Sequence, residues 1–236
     1  MLRGLFKLVF SLAVILVIVA AASEAATRYF VGKDIRDPLS ESWQSSVSTS
    51  FGFTPLLPAL LDDRIADLSI DSGTIGTGTL RGSTLLIDLS DVNISDRENP
   101  VAGTVEVTAQ VATDTIFEAI QAQGGGGVAL LPGVTVSIDG VTAHPDRDAL
   151  AVEMMGGTAS VDMVPRINGG DVVVDIGQAQ ILGLPLPSAI AQAIQGGATE
   201  PVAALPDSLR ADSVRVTDYG VEVRLVGDNV PLSDLQ

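Results

Sequence analysis

The chain has 236 residues, no cysteine and a formal net charge of −16. The charge is segregated: residues 1–36 carry Arg3, Lys7, Arg28, Lys33 and Arg36 against Glu24 and Asp34, a net of +3, whereas residues 37–236 carry eight arginines against 27 acids, a net of −19. The absence of cysteine excludes disulfides and a lipid-modified cysteine, and so acidic a body argues against nucleic-acid binding and against broad electrostatic adhesion to anionic lipid.

The N-terminus has the layout of an export signal. Arg3 and Lys7 precede an apolar stretch over residues 8–22, broken only by Ser11, and small residues follow to Ala26. As a helix the stretch is about 23 Å long, against roughly 30 Å of bilayer hydrocarbon. Residues 1–27 therefore read equally as a signal cleaved after Ala22 or Ala25, or as a retained single-span anchor. Either way the basic start holds the N-terminus inside and places residues 28–236 outside the cytoplasmic membrane. Seven of the nine aromatic residues fall within the first 53 positions. Tyr29, Phe30 and Trp43 suit an interfacial belt, although Trp43 suits packing on a sheet as well.

Asp37-Pro38 predicts a helix start, with Leu39, Trp43 and Val47 as its apolar stripe. A short apolar helix or turn is expected over residues 55–61, after the loop Phe51-Gly-Phe-Thr54. From residue 65, period-two alternation predicts strands. Leu85, Ile87 and Leu89 face one way, and Val92 and Ile94 change parity, which predicts a bulge at Ser90-Asp91. Further strands are expected around Val107, Val136, Val152, Val161, Val174, Val214 and Val223. Turns at Pro145-Asp-Arg-Asp148, Gly156-Gly157 and Asn168-Gly-Gly170 make residues 133–182 a four-stranded antiparallel meander. Asp218-Tyr-Gly220 fits a three-residue loop with a left-handed glycine.

Two more short helices are expected. One opens on a capping box, Thr115-Ile-Phe-Glu118, with Ile116, Phe117 and Ile120 as its apolar face and Gly124–Gly127 as a flexible stop. The other covers residues 187–195, with Ile190 and Ile194 on one face. Few helices must then cover eight or more strands that are each apolar on one face. Either the core closes, or an apolar groove remains.

Catalytic signatures are absent. His144, the single histidine, sits at a predicted hairpin tip and reads as a solvated turn residue. No Gly-x-Ser-x-Gly elbow or phosphate-binding loop occurs. Asp88, Asp91 and Asp96 do not match calcium-loop spacing. No cofactor or metal is expected, and the chain reads as a binding module, not an enzyme.

Three stretches resemble a known family: Phe51-Gly-Phe-Thr-Pro-Leu-Leu57 with Ala66-Asp-Leu-Ser-Ile70, then Leu182-Gly-Leu-Pro-Leu-Pro187, then Leu205-Pro-Asp-Ser-Leu209 with Val214-Arg-Val-Thr-Asp-Tyr-Gly-Val-Glu-Val223. With the export segment, they resemble the LmeA-like phospholipid-binding proteins of actinobacterial cell envelopes. The family's loop commonly runs Pro-Phe-Leu where this chain has Pro55-Leu56-Leu57, so no head-group preference carries over. The resemblance implies an α+β fold in which a long curved, mainly antiparallel sheet wraps on a few short helices, as in tubular lipid-binding proteins. It also implies a supporting role in envelope lipid or lipoglycan maturation. The leading expectation is thus an exported or membrane-anchored protein that holds phospholipid acyl chains in an apolar groove. The expected lining is Phe53, Leu56, Leu57, Leu60, Ile116, Phe117, Ile120, Ile190 and Ile194. The alternative is a structural envelope module that binds another protein and has no lipid cavity.

Overall fold

The computed structural model describes residues 2–124, 127–131, 134–181, 184–185 and 205–235, with the side chains of 17–122, 137–180 and 205–234. The predicted helix at residues 187–195, with Ile190 and Ile194, lies outside the described residues. The fold is α+β, with mainly antiparallel sheet and few helices.

Helix α1 (Leu2–Trp43) is one unbroken element, about 63 Å long at 1.5 Å per residue. It runs through Asp37-Pro38, so that pair does not begin a new helix. Proline removes one backbone donor, the one that would bond the Asp34 carbonyl. Asp34, Asp37 and Pro38 are all exposed, so the vacated carbonyl lies on the water side and the helix continues. The stripe facing the first core is Val31, Ile35, Leu39 and Trp43, all half-buried against it. Val47 lies beyond the helix end and is buried in the same core. The end is a Schellman turn: Gln44 is left-handed (φ 48°) and the Ser45 N–H donates to the Ser40 carbonyl at 3.2 Å. Trp43 is thus a core residue at the far end of α1 and does not join a belt with Tyr29 and Phe30. Among the described residues no helix is long and apolar enough to cross a membrane. The side chains of residues 1–16, which hold much of the apolar run, are not among them.

Among the described residues two six-stranded antiparallel sheets stand where one long sheet was expected. The first contains β1 (Ser48–Phe51), β2 (Arg64–Thr74), β3 (Thr84–Asn93), β4 (Val101–Ala112), β11 (Arg210–Thr217) and β12 (Gly220–Pro231), in the order β1-β2-β3-β4-β12-β11. The second is a meander in chain order: β5 (Gly127–Leu131), β6 (Val134–His144), β7 (Ala149–Met154), β8 (Ala159–Asn168), β9 (Asp171–Ile181) and β10 (Leu184–Pro185). The predicted four-stranded meander is therefore present, extended by a strand at each edge. Gly127, expected in a flexible tip, opens β5. The chain divides into two sheets because α3 (Thr113–Gly124) carries it away from β4, and only the C-terminal hairpin returns to pair β12 with β4.

Four strands of the first sheet change face along one line. Leu68, Leu89 and Val105 pair across one side of it, and Ile65, Val92, Ala102 and Val230 across the other. Residues three apart in a regular strand face opposite sides, yet both sets belong to one core. Asp91 and Asn229, at φ 58° and 53°, sit on that line and rotate their strands. The parity change at residues 90–92 thus comes from left-handed residues and not from the predicted bulge.

The two sheets meet at β11. The Ala211 N–H donates to the Gly170 carbonyl at 2.7 Å, and the Val216 N–H to Asp148 Oδ1 at 2.7 Å. Leu150, Val216 and Val221 are buried together there, with Ile116 of α3 against them. Helix α3 begins two residues before the predicted capping box. The Thr115 hydroxyl donates to the Arg81 carbonyl at 2.5 Å, so it ties α3 to the loop before β3.

Candidate lipid-contact surfaces

The expected lining residues divide into two groups. The first is built around α2 (Leu56–Leu61), a helix of six residues that no side chain of its own N-cap residue, Pro55, caps. The cap comes from α1. The Glu24 carboxylate accepts hydrogen bonds from the Leu56 N–H at 2.7 Å and the Leu57 N–H at 3.0 Å. Arg28 stands one turn along α1, paired with Glu24 at 2.6 Å. It donates to the carbonyls of Phe51 at 2.9 Å and Thr54 at 2.8 Å. Two charged residues of α1 therefore clamp the whole segment from Phe51 to Leu57. With the clamp set, Leu56 is 2 % exposed in the core and Leu60 packs against the same core. Phe53, Leu57 and Leu61 are left exposed.

Sequence reading missed Glu24 because it sits among small residues that look like the end of a signal peptide. Its only local signal is the Arg28 four residues on, a helical ion-pair spacing. The hydrogen bonds from the Leu56 and Leu57 amides, and then the neighbouring Arg28, hold the Glu24 carboxyl below its ordinary value of 4.5. A group depressed in the folded state contributes stability above its unfolded value, and that contribution is lost as pH falls through the folded value. Corrected for intrinsic rate, hydrogen exchange of the Leu56 and Leu57 amides should stay slow from neutral pH to 4.5 and accelerate only below it. Glu24→Gln should abolish this pH dependence. Amides already unprotected at pH 7 would refute the clamp.

The second group lies on α3, against the other sheet. Ile116 enters the cluster between the sheets. Phe117 and Ile120 are half-buried on Ile138, Val152, Met154 and Val161 of the meander. Among the described residues α2 packs mainly on α1 and β2, and α3 mainly on β4, β5, β6 and β12. Among the described residues the expected lining thus falls on two apolar surfaces, one around α2 and one on α3.

Two open depressions are formed by described residues. One, of about 370 Å³, lies at the ends of β3, β4 and β12 and is lined by residues including Thr84, Gln110, Asp114 and Tyr219. The other, of about 190 Å³, lies between Phe51, Asp67 and Ser90. Both have too many polar groups on their walls to suit acyl chains, since a buried polar group without a partner is costly. His144 is half-buried at the end of β6 and not fully solvated as expected. Asp91 pairs with Arg64, and Asp96 accepts from the Glu98 and Asn99 amides. No group of three metal-ligating side chains occurs among the described residues.

A family model for LmeA-like phospholipid-binding proteins matches residues 21–226. No curated protein and no solved structure matches the chain.

Proposed function

Because the chain belongs to the LmeA-like phospholipid-binding family, we propose that it is an exported or membrane-anchored carrier that holds phospholipid acyl chains against apolar sheet and helix surface, in support of envelope lipid or lipoglycan maturation. The family match carries this reading. The protein works outside the cytoplasmic membrane, anchored by the N-terminal half of α1, and it binds without catalysing. The unbroken run of α1 through residues 22–27 supports retention of the anchor, and the Glu24 clamp weighs against cleavage after Ala25, which would remove the cap of α2, whereas cleavage after Ala22 would leave it in place.

The α3 trio is the better of the two surfaces for cargo. Ile116, Phe117 and Ile120 are already partly covered, and together they face the aliphatic interior of both sheets. Apolar chains gain by leaving water but gain little on leaving a bilayer, so exchange between bilayer and protein is close to balanced. A carrier needs that reversibility.

Native mass spectrometry of the detergent-free protein should find co-purified phospholipid. Phe117→Ser with Ile120→Ser should lower the bound amount about tenfold or more, since the two half-buried side chains together contribute at least a decade of apolar burial. Added phospholipid should raise the melting temperature of the wild type and not of the variant. Absence of bound lipid, with no uptake of fluorescent phospholipid, would refute the carrier reading and favour a protein-binding module.

A further inference from the structure

The exposed apolar groups around α2 share a spacing. Phe53, Leu57 and Leu61 lie four residues apart, all exposed, in a stretch over residues 48–61 with no charged side chain. In a chain with 29 acids such a stretch is conspicuous. The next large exposed apolar group is on α1 itself. Val17, Ile18 and Val19 are 68 %, 61 % and 60 % exposed. Three consecutive helical residues point about 200° around the axis, so a partner on one side could not cover them all. A bilayer surrounds a helix on every side.

The Glu24–Arg28 clamp joins these two features. It fixes Phe53 and Leu57 beside residues 24–28 of α1, about 8–14 Å along the axis from Val19. We propose that Phe53, Leu57 and Leu61 form a bilayer-insertion tip, held by Glu24 and Arg28 at the level where α1 enters the membrane. The proposal rests on reading the N-terminal half of α1 as a membrane anchor. The tip would hold the first sheet against the lipid surface, and Phe53 and Leu57 would touch bilayer lipid in place of cargo. Because no charge takes part, insertion depends on apolar contact and not on anionic lipid.

The test uses the full chain in phosphatidylcholine vesicles with brominated acyl chains. Trp43, the natural reporter, stands about 28 Å along α1 from Glu24 and should not be quenched. Phe53→Trp, at a site where the side chain meets no core, should be quenched severalfold more than the wild type, equally at low and high salt and with or without phosphatidylglycerol. If the chain floats with the vesicles but Phe53→Trp is quenched no more than the wild type, the tip is overturned and the anchor stands. If the chain does not float with the vesicles, the anchor reading falls and the tip with it. Phospholipid content of Phe53→Ser with Leu57→Ser, measured by native mass spectrometry, should equal the wild type. A severalfold loss would place these residues in the cargo site and overturn the proposal.

Discussion

Gly220→Ala is expected to destabilise the protein by about 3–5 kcal/mol, enough to unfold most of it at physiological temperature. Gly220 opens β12 opposite Ala112 at φ 147°, a conformation that disfavours any side chain. A Cβ there would overlap the Val111 carbonyl oxygen and stand 3.0 Å from both the Ala112 carbonyl carbon and the Thr113 nitrogen. All three are backbone atoms, so no rotamer change relieves the clash. The site is also where β4 gives way to α3, and the Thr113 N–H donates to the Tyr219 carbonyl there at 3.0 Å. Strain at this point therefore separates β4 from the helix that packs in the seam between the sheets. Gly169→Ala provides the control. Gly169 is left-handed too (φ 67°) but has open space around it, so alanine should cost only about 1–2 kcal/mol. Urea denaturation of both variants measures the difference. Equal midpoints would refute the packing argument.

Leu56→Ala is expected to cost about 2–5 kcal/mol, whereas Leu57→Ala should stay within about 0.5 kcal/mol of wild type. The two residues are neighbours, and both were expected to line a lipid groove. The fold separates them: Leu56 is 2 % exposed in the core with Val92 and Val230, and Leu57 is exposed. Loss of Leu56 leaves a cavity beneath α2 that the helix cannot fill, because its N-terminus is tethered to Glu24. Thermal unfolding of the two variants in the absence of lipid reads this directly. A Leu57→Ala protein as unstable as Leu56→Ala would mean that α2 is rotated from the orientation described.

Much of this architecture was legible in the chain. The meander followed from alternation and from turn residues: Asn168 pairs with Asp171 across a two-residue Gly169-Gly170 loop, as its composition predicted. The loop before β12 is one residue shorter than the expected Asp218-Tyr-Gly220, because Thr217 pairs directly with Gly220. The apolar faces of α2 and α3 were also visible, since a stripe at helical spacing is a local property. The family resemblance rested on three short motifs, and the match over residues 21–226 bears it out.

Errors arose wherever a local signal competed with a distant partner. Asp37-Pro38 has the chemistry of a helix start, but packing of Val31, Ile35, Leu39 and Trp43 on the first core carries the helix through it. Thr115 has the spacing of a cap, but the Arg81 carbonyl, 34 positions away, takes its hydroxyl. Asp91 looked like a bulge, yet its left-handed backbone keeps the register and turns the strand.

The sequence by itself determined most of the strands, the apolar stripes of α2 and α3, the segregation of charge and the family. Each of these depends on residue types at short separations, and periodicity reports them without knowledge of the fold. The tertiary structure alone decided that there are two sheets, that Leu56 is core while Leu57 is surface, and that Glu24 caps a helix 32 residues away. Those outcomes depend on which distant groups meet, and a hydrogen bond or a buried contact between distant segments leaves no periodic trace in the chain.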